Sequence, residues 1–578
     1  MAGVSKVTSK FRRLAFCWVM LGATLASAGP KKMSKDLRQQ SSAQWVNVIV
    51  QYRVPPSQKH FAKVAARGGT LHRNLPLINA AAFAVQGRSL AALAKDSNVA
   101  YVSLDRTVRA TATVTDLYDQ AVLAPYGWSK NFSGSGVGIA VIDSGITGGR
   151  DFTLSSGTGS RIVYNQNFVS GQNTAADLYG HGTHVAGILA GNGMNSRGTS
   201  FRKTFMGIAD GASLINLRVL DQNGSGNDSA VIAAIQRAIS LKSKYNIRVI
   251  NLSLGRPVYE SYKLDPLCQV VEAAWKAGIV VVVAAGNEGR NDSVHTDGYG
   301  TIAAPGNDPY VITVGAMKPM GTSTRADDLI ASYSSKGPTL LDHVVKPDLV
   351  APGNLMVSVL ASSTATLVKA SPKNVVALSS YSNNAKGPTS YFTLSGTSMA
   401  APVVSGAVAL LLQKNGGLTP DQVKARLMKS AYKTFPRYST ASDPTTGKHY
   451  TSQYDIFTVG AGYLDIQAAL SSTDLAPTTY GSAKSPAVAR DRSGNVYLVT
   501  GSSVLWGGSI MWGTSVVWGT SVLWGTSTKG ESVLWGSSAP WGSGDDNGYS
   551  VLWGTSIIWG TSNMNDTEAI PIEIEGEK

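Results

Sequence analysis

The chain has 578 residues, too many for one small core, and its 43% hydrophobic content supplies enough apolar side chains for two or more folded units. Its net charge of +15 would suit a nucleic-acid binder, but residues 1–110 hold 17 Lys and Arg against three acids, Asp36, Asp96 and Asp105, leaving 34 against 33 for the remainder. The larger part of the chain is nearly neutral, which argues against a nucleic-acid footprint there, and two cysteines, Cys17 and Cys268, leave no disulfide framework in the later chain.

Lys6, Lys10, Arg12 and Arg13 precede an apolar run, Leu14 to Leu25, that ends in Ala26-Ser27-Ala28. A basic start, a short apolar run and small residues at the cleavage position predict a secretory signal peptide over residues 1–28. The run is too short to span a bilayer, so the expected location is extracellular, with association to the cell envelope left open. From Trp45 to Thr107 the pattern predicts a compact α+β unit: strands at 46–52, 80–85 and 99–104, and helices at 57–66 and 89–95. Such a unit is marginal as an independent fold and wants a partner surface. The polar, Thr-rich stretch Arg106 to Thr115 then reads as an exposed, cleavable junction.

An apolar strand beginning at Gly138 ends in Asp143-Ser144-Gly145. Strands of α/β sheets present catalytic groups at their carboxyl ends, although an Asp there can simply start a turn. His181-Gly-Thr-His184-Val-Ala-Gly187 opens an apolar helix, and two histidines at i and i+3 without a third ligand make a weak zinc site. Strands at 212–217, 249–254, 279–284 and 311–314 alternate with helices at 229–241, 267–277 and 419–430. That alternation predicts an α/β fold with a largely parallel sheet flanked by helices. Cys268, between Leu267 and Gln269, fits a small core residue better than a nucleophile. In Gly396-Thr397-Ser398-Met399-Ala400-Ala401-Pro402, a hydroxyl set among small residues opens a helix whose N-terminus favours developing negative charge. The same Ser could be a plain helix cap.

From Ser502 the composition changes to a six-residue unit, as in Ser515-Val-Val-Trp518-Gly-Thr520, and eight of the twelve tryptophans fall at 506, 512, 518, 524, 535, 541, 553 and 559. An even period puts successive rings on one face of an extended chain, which suits a β-solenoid or hairpin ladder. The rings could stack on sugars or cell-wall polymer, or pack on one another.

Together, Asp143, His181, Asn287 in Ala-Ala-Gly-Asn-Glu-Gly and Ser398, in that order, resemble the subtilisin-like serine proteases, or subtilases. The resemblance covers about residues 117–471 and is supported by Ser253-Leu254-Gly255, Ser334 to Pro338, Lys346 to Gly353 and Asn307 to Ala316. It implies a serine endopeptidase in which Ser398 attacks, His181 is the base, Asp143 orients it, and Asn287 holds the oxyanion. It further implies that protein or peptide substrates lie between Gly224-Ser225-Gly226 and Ser253-Leu254-Gly255, with Ala284, Ala285 and Gly286 walling an S1 pocket for apolar side chains. Arg290 to Ile302 is longer than the family norm and leaves the pocket floor unassigned. His184 becomes structural. The chain would then divide into a signal peptide (1–28), an inhibitor-like propeptide (29–112), a peptidase domain (113–471), a linker (472–501), the repeat (502–562) and a mobile acidic tail (563–578). The propeptide would be the enzyme's own intramolecular inhibitor. No cofactor is needed for the chemistry, and structural Ca²⁺, common in the family, has no residues assigned to it. The competing reading is a non-catalytic envelope or adhesion protein in which the Trp repeat is the function.

Overall fold

The computed structural model describes residues 32–33, 37, 41–75, 79–104, 117–293, 296–384, 386–443, 447–490, 496–499, 517–518, 522–523 and 576–577. The signal-peptide stretch, the whole Arg106–Thr115 junction and nearly all of the Trp repeat fall outside them. The chain divides into two compact units, Met1–Ala112 and Thr113–Lys578.

The first unit runs β1 (Trp45–Tyr52), α1 (Gln58–Ala65), β2 (Thr70–Leu75), β3 (Ala80–Gln86), α2 (Leu90–Lys95) and β4 (Val99–Leu104). Its antiparallel sheet has the order β2-β3-β1-β4. Alternation along β1 buries Val46, Val48, Val50 and Tyr52 against Phe83, Leu93 and Val102. Strand β2, Thr-Leu-His-Arg-Asn-Leu, was not anticipated: it lacks an apolar period and forms at the sheet edge by pairing with β3.

The second unit opens with α3 (Tyr118–Ala121) and α4 (Ala124–Ser129). It then runs β5 (Gly138–Asp143), β6 (Ile162–Asn167), α5 (His181–Ala190), β7 (Ser213–Arg218), α6 (Asp228–Tyr245), β8 (Ile247–Leu252), α7 (Pro266–Lys276), β9 (Val280–Ala284) and β10 (Ile312–Lys318). Next come β11 (Leu329–Ile330), β12 (Leu349–Pro352), β13 (Met356–Val359), α8 (Thr366–Ala370), α9 (Leu378–Tyr381), β14 (Tyr391–Leu394), α10 (Thr397–Lys414) and α11 (Pro420–Ser430). The hairpin β15 (Tyr438–Ser442) and β16 (His449–Gln453), α12 (Ile466–Ser471), and the pair β17 (Ala487–Arg490) and β18 (Val496–Val499) follow.

The main sheet has the order β11-β10-β9-β8-β5-β7-β6, with β12 also paired to β10, and every pairing except β10–β11 is parallel. Parallel strands buried on both faces read as continuous apolar runs, as in Val-Val-Val-Val-Ala of β9. The chain leaves β5 for one side of the sheet and returns to pair β8 on the other. That reversal opens a crevice at the carboxyl ends of β5 and β8. Helix α10 is apolar all round and is buried from Met399 to Leu412 against α5, β8, β9, β10 and β12.

Two expectations are corrected. Residues 472–490 are not a linker: Ala476, Ala483 and Val488 are buried, Val344 bridges Ala487, and Ser485 Oγ donates to Asp348. Nor is the acidic tail mobile throughout, because Glu577 is buried in the second unit. The apolar residues of 472–490 are too widely spaced to show a period, so burial there is decided by tertiary contacts. Within the repeat, Val517–Trp518 and Val522–Leu523 pair antiparallel as β19 and β20.

Candidate active site

Asp143 is the last residue of β5, and its Oδ1 accepts a 2.7 Å hydrogen bond from His181 Nδ1 at the first position of α5. A carboxylate can only accept, so Nδ1 carries the proton and Nε2 is left as the basic nitrogen. Both residues are buried, at 1% and 5% exposure, which limits competition from water. Gly182 lets the helix lie this close, since a Cβ there would meet the Gly145 carbonyl at 2.3 Å.

The start of α5 is held by Asp177, which sequence reasoning missed. Its carboxylate accepts from the Gly180 and Thr183 N–H groups and from Ser144 Oγ, and Ser144 Oγ in turn accepts from the Gly182 N–H. Burial pushes the Asp177 carboxyl upward against the pull of these bonds. An acid just ahead of an apolar helix was the available signal.

Ser398 is the second residue of α10, with Gly396 in the capping position, so it is not the helix cap. Its Oγ donates to the Ser253 carbonyl at 3.1 Å, and its own carbonyl accepts from Ser253 Oγ at 2.7 Å, fixing it at the end of β8. Its N–H belongs to the first helical turn, where no intrahelical acceptor exists. Helix α10 runs back along β8, since Ser405 Oγ bonds Asn251. Helix α5 packs beside it, a Cβ on Gly406 lying 3.2 Å from the Leu189 carbonyl, and its first residue is bonded to Asp143 at the carboxyl end of β5, the parallel neighbour of β8. The first turns carrying Ser398 and His181 therefore face the same end of the sheet.

Asn287 follows β9 and is oriented by the residue before Ser398. Its Oδ1 accepts from the Thr397 N–H at 2.9 Å and Thr397 Oγ1 at 3.0 Å, which turns the amide NH₂ outward as the donor end. The remaining expected residues line the same edge. Gly224, Ser225 and Gly226 form the turn after β7, Ser253, Leu254 and Gly255 follow β8, and Ala284, Ala285 and Gly286 close β9. A residue not anticipated beside these segments is Ala303, just beyond the long Arg290–Ile302 stretch. Its Cβ lies 3.0 Å from a Cβ built on Gly255 and 3.3 Å from one built on Gly286, so it spans the two walls. Only the folded path of that stretch could have identified it.

His184 lies on the buried side of α5. Its Nε2 donates between the Met356 and Phe392 carbonyls, 3.0 Å from each, tying α5 to β13 and β14. Burial, then the charge of His181, lowers its pKa to about 3. The folded protein thus keeps the ring neutral while the unfolded chain protonates it below about pH 6.5. The stability this contributes is fully present above about pH 6.5 and is lost as the pH falls toward the folded value, at up to about 1.4 kcal/mol per pH unit. His184→Gln, in a Ser398→Ala background that prevents self-digestion, is expected to flatten the decline in urea-unfolding free energy between about pH 6.5 and 4.5. An unchanged slope would contradict this role.

Cys268 is buried with its Sγ donating to Asn307, and burial, with the charge of Asp308, pushes its thiol well up, as suits a core residue rather than a nucleophile. Among the described residues no three His, Cys, Asp or Glu side chains gather to hold a metal ion. The His181/His184 pair is accordingly split between the site and the core.

The family model for the subtilase family matches residues 134–462, the span that contains every one of these site residues. The chain belongs to the subtilases. It is 37% identical over 345 residues to serine protease AprX of Bacillus subtilis, covering 58% of this chain and 70% of that protein. It is 34% identical over 370 residues to subtilisin E of Bacillus subtilis (64% and 79%), and 35% identical over 353 residues to the extracellular serine proteinase of a Thermus species (60% and 68%). This subtilase is a serine endopeptidase acting on protein or peptide substrates, and the non-catalytic reading is set aside.

Proposed function

We propose that this subtilase is a secreted, self-processing endopeptidase in which Ser398, His181 and Asp143 carry acyl transfer. The carrying observation is the buried Asp143–His181 bond, set beside the α10 first turn that presents Ser398. His181 Nε2 takes the Ser398 proton as Oγ bonds the scissile carbonyl carbon, and returns it to the leaving amine. A water activated by the same base then releases the acyl group. Asp143 holds the imidazole tautomer and stabilises the imidazolium. The tetrahedral oxyanion is held by the Asn287 NH₂ and the Ser398 N–H.

Substrate enters as an extended strand between the 224–226 and 253–255 segments, bonded through its main chain. The small apolar walls at Ala284, Ala285, Gly286 and Ala303 favour apolar side chains at P1. The N-terminal α+β unit acts as the inhibitor propeptide, with self-cleavage between Arg109 and Thr115. A leader-like start and a relative named as extracellular support secretion.

The test is Asn287→Ala. Loss of this kind of side-chain donor in subtilisin, a relative, lowers turnover about a hundred- to a thousandfold. A similar loss in kcat with little change in KM is expected on a chromogenic peptide. Turnover near that of the unsubstituted enzyme would overturn the oxyanion assignment.

A further inference from the structure

Glu577 lies beyond the Trp repeat, in a segment whose charge would ordinarily keep it in water, yet it is 2% exposed. A buried carboxylate persists only where donors replace its hydration. Here Oε2 accepts from the Ser332 N–H at 2.8 Å, Ser332 Oγ at 2.6 Å and Arg290 Nη2 at 3.3 Å, and Oε1 lies 3.7 Å from Lys318 Nζ. Arg290 Nε also donates to Ser332 Oγ, linking two of the donors to each other.

The backbone is read as well. Asn354 Nδ2 donates to the Glu577 carbonyl and Asn354 Oδ1 accepts from the Glu577 N–H, both at 2.7 Å, so one side-chain amide pairs the peptide as a neighbouring strand would. The preceding residue is read by exclusion. Gly576 has φ +62°, and a Cβ there would lie 2.4 Å from Ser395 Oγ and 2.7 Å from Leu355.

The donors come from separated parts of the chain: Arg290 from the segment after Asn287, Lys318 from the end of β10, Ser332 from beyond β11, and Asn354 from beyond β12. None belongs to the substrate edges or to the charge relay. We propose that they form a docking site for a Gly-Glu segment, filled in cis by Gly576–Glu577, which latches the chain beyond the repeat onto the peptidase unit. Residues 487–490 are fixed on the same unit through the Val344–Ala487 bridge. The latch therefore holds the chain to the peptidase unit on both sides of the repeat, and a cut within the repeat leaves both pieces attached.

The test uses the full-length Ser398→Ala protein with a site for a sequence-specific protease inserted between Trp524 and Val533. After cleavage, the fragment containing Glu577 is followed by gel filtration at increasing dilution. It is expected to co-elute with the peptidase unit. Glu577→Ala and Gly576→Val, both confined to the latch segment, are expected to raise the concentration at which it separates by roughly ten- to a hundredfold, the scale of lost charge-assisted hydrogen bonds. Immediate separation of the unsubstituted fragment would overturn the proposal, as would retention unaffected by both substitutions. Binding needs no turnover, so failure here leaves the catalytic assignment standing.

Discussion

Replacing Ser398 with alanine is expected to lower kcat by about a millionfold, the scale known for loss of the nucleophile in subtilisin, with KM little changed. In the proposed mechanism Ser398 Oγ forms the bond to the scissile carbonyl carbon, and the neighbouring Ser253 hydroxyl is committed to the Ser398 carbonyl. His181→Ala is expected to cost nearly as much, and the double variant scarcely more than either alone, because nucleophile and base act as one unit. What survives is catalysis from the oxyanion donors and from binding, still about a thousandfold or more above water. Single-turnover measurement on a peptide ester separates these terms. Additive losses for the two substitutions would show that they do not share a step.

Asp348→Ala is expected to destabilise the peptidase unit by about 3–5 kcal/mol, the cost of stripping a buried charge of its partner. Asp348 sits at the start of β12 between two fully buried lysines. Lys346 Nζ is 2.6 Å from its Oδ2, and Lys424 Nζ is 3.0 Å from its Oδ1. Carbonyls of Pro309 and Val311 and the Ser485 hydroxyl take the remaining lysine protons. Burial alone would raise the Asp348 carboxyl, but the charges of Lys346 and then Lys424 hold it below the usual range. Burial pulls Lys424 down to about 7 despite the neighbouring carboxylate. Removing Asp348 leaves the buried Lys346 and Lys424 amines without the carboxylate that compensates them, beneath the strand that leads to the Gly353–Gly396 contact. Urea unfolding in the Ser398→Ala background measures the loss; a change under about 1 kcal/mol would mean that the lysines find other compensation.

Much of this site was legible because its chemistry is local. Asp143, His181, Asn287 and Ser398 each sit at the end of a strand or the start of a helix, where an apolar run stops and small residues begin, so position within the motif already fixes position in the fold. The parallel sheet was legible for the same reason, as apolar strands alternate with helices. What escaped was set by contacts distant in sequence. β2 forms by edge pairing, Ala303 reaches Gly255 and Gly286 through a long connection, and 472–490 packs through scattered apolar residues and Ser485. Glu577 lay in a segment whose composition argues for solvent, and only Arg290, Ser332 and Asn354, brought together by three different loops, reverse that. Thr397 and Asp177 were within reach: one adjoins the nucleophile, the other sits four residues before the base.

The central claim is that Ser398 is activated by the Asp143–His181 pair, and covalent labelling tests it most directly. An aryl organophosphonate with an apolar side chain, followed by peptide mass mapping, is predicted to phosphonylate Ser398 alone. The label should be absent in Ser398→Ala and strongly slowed in His181→Ala. An adduct on another residue, or labelling of Ser398 that proceeds unslowed without His181, would contradict the account.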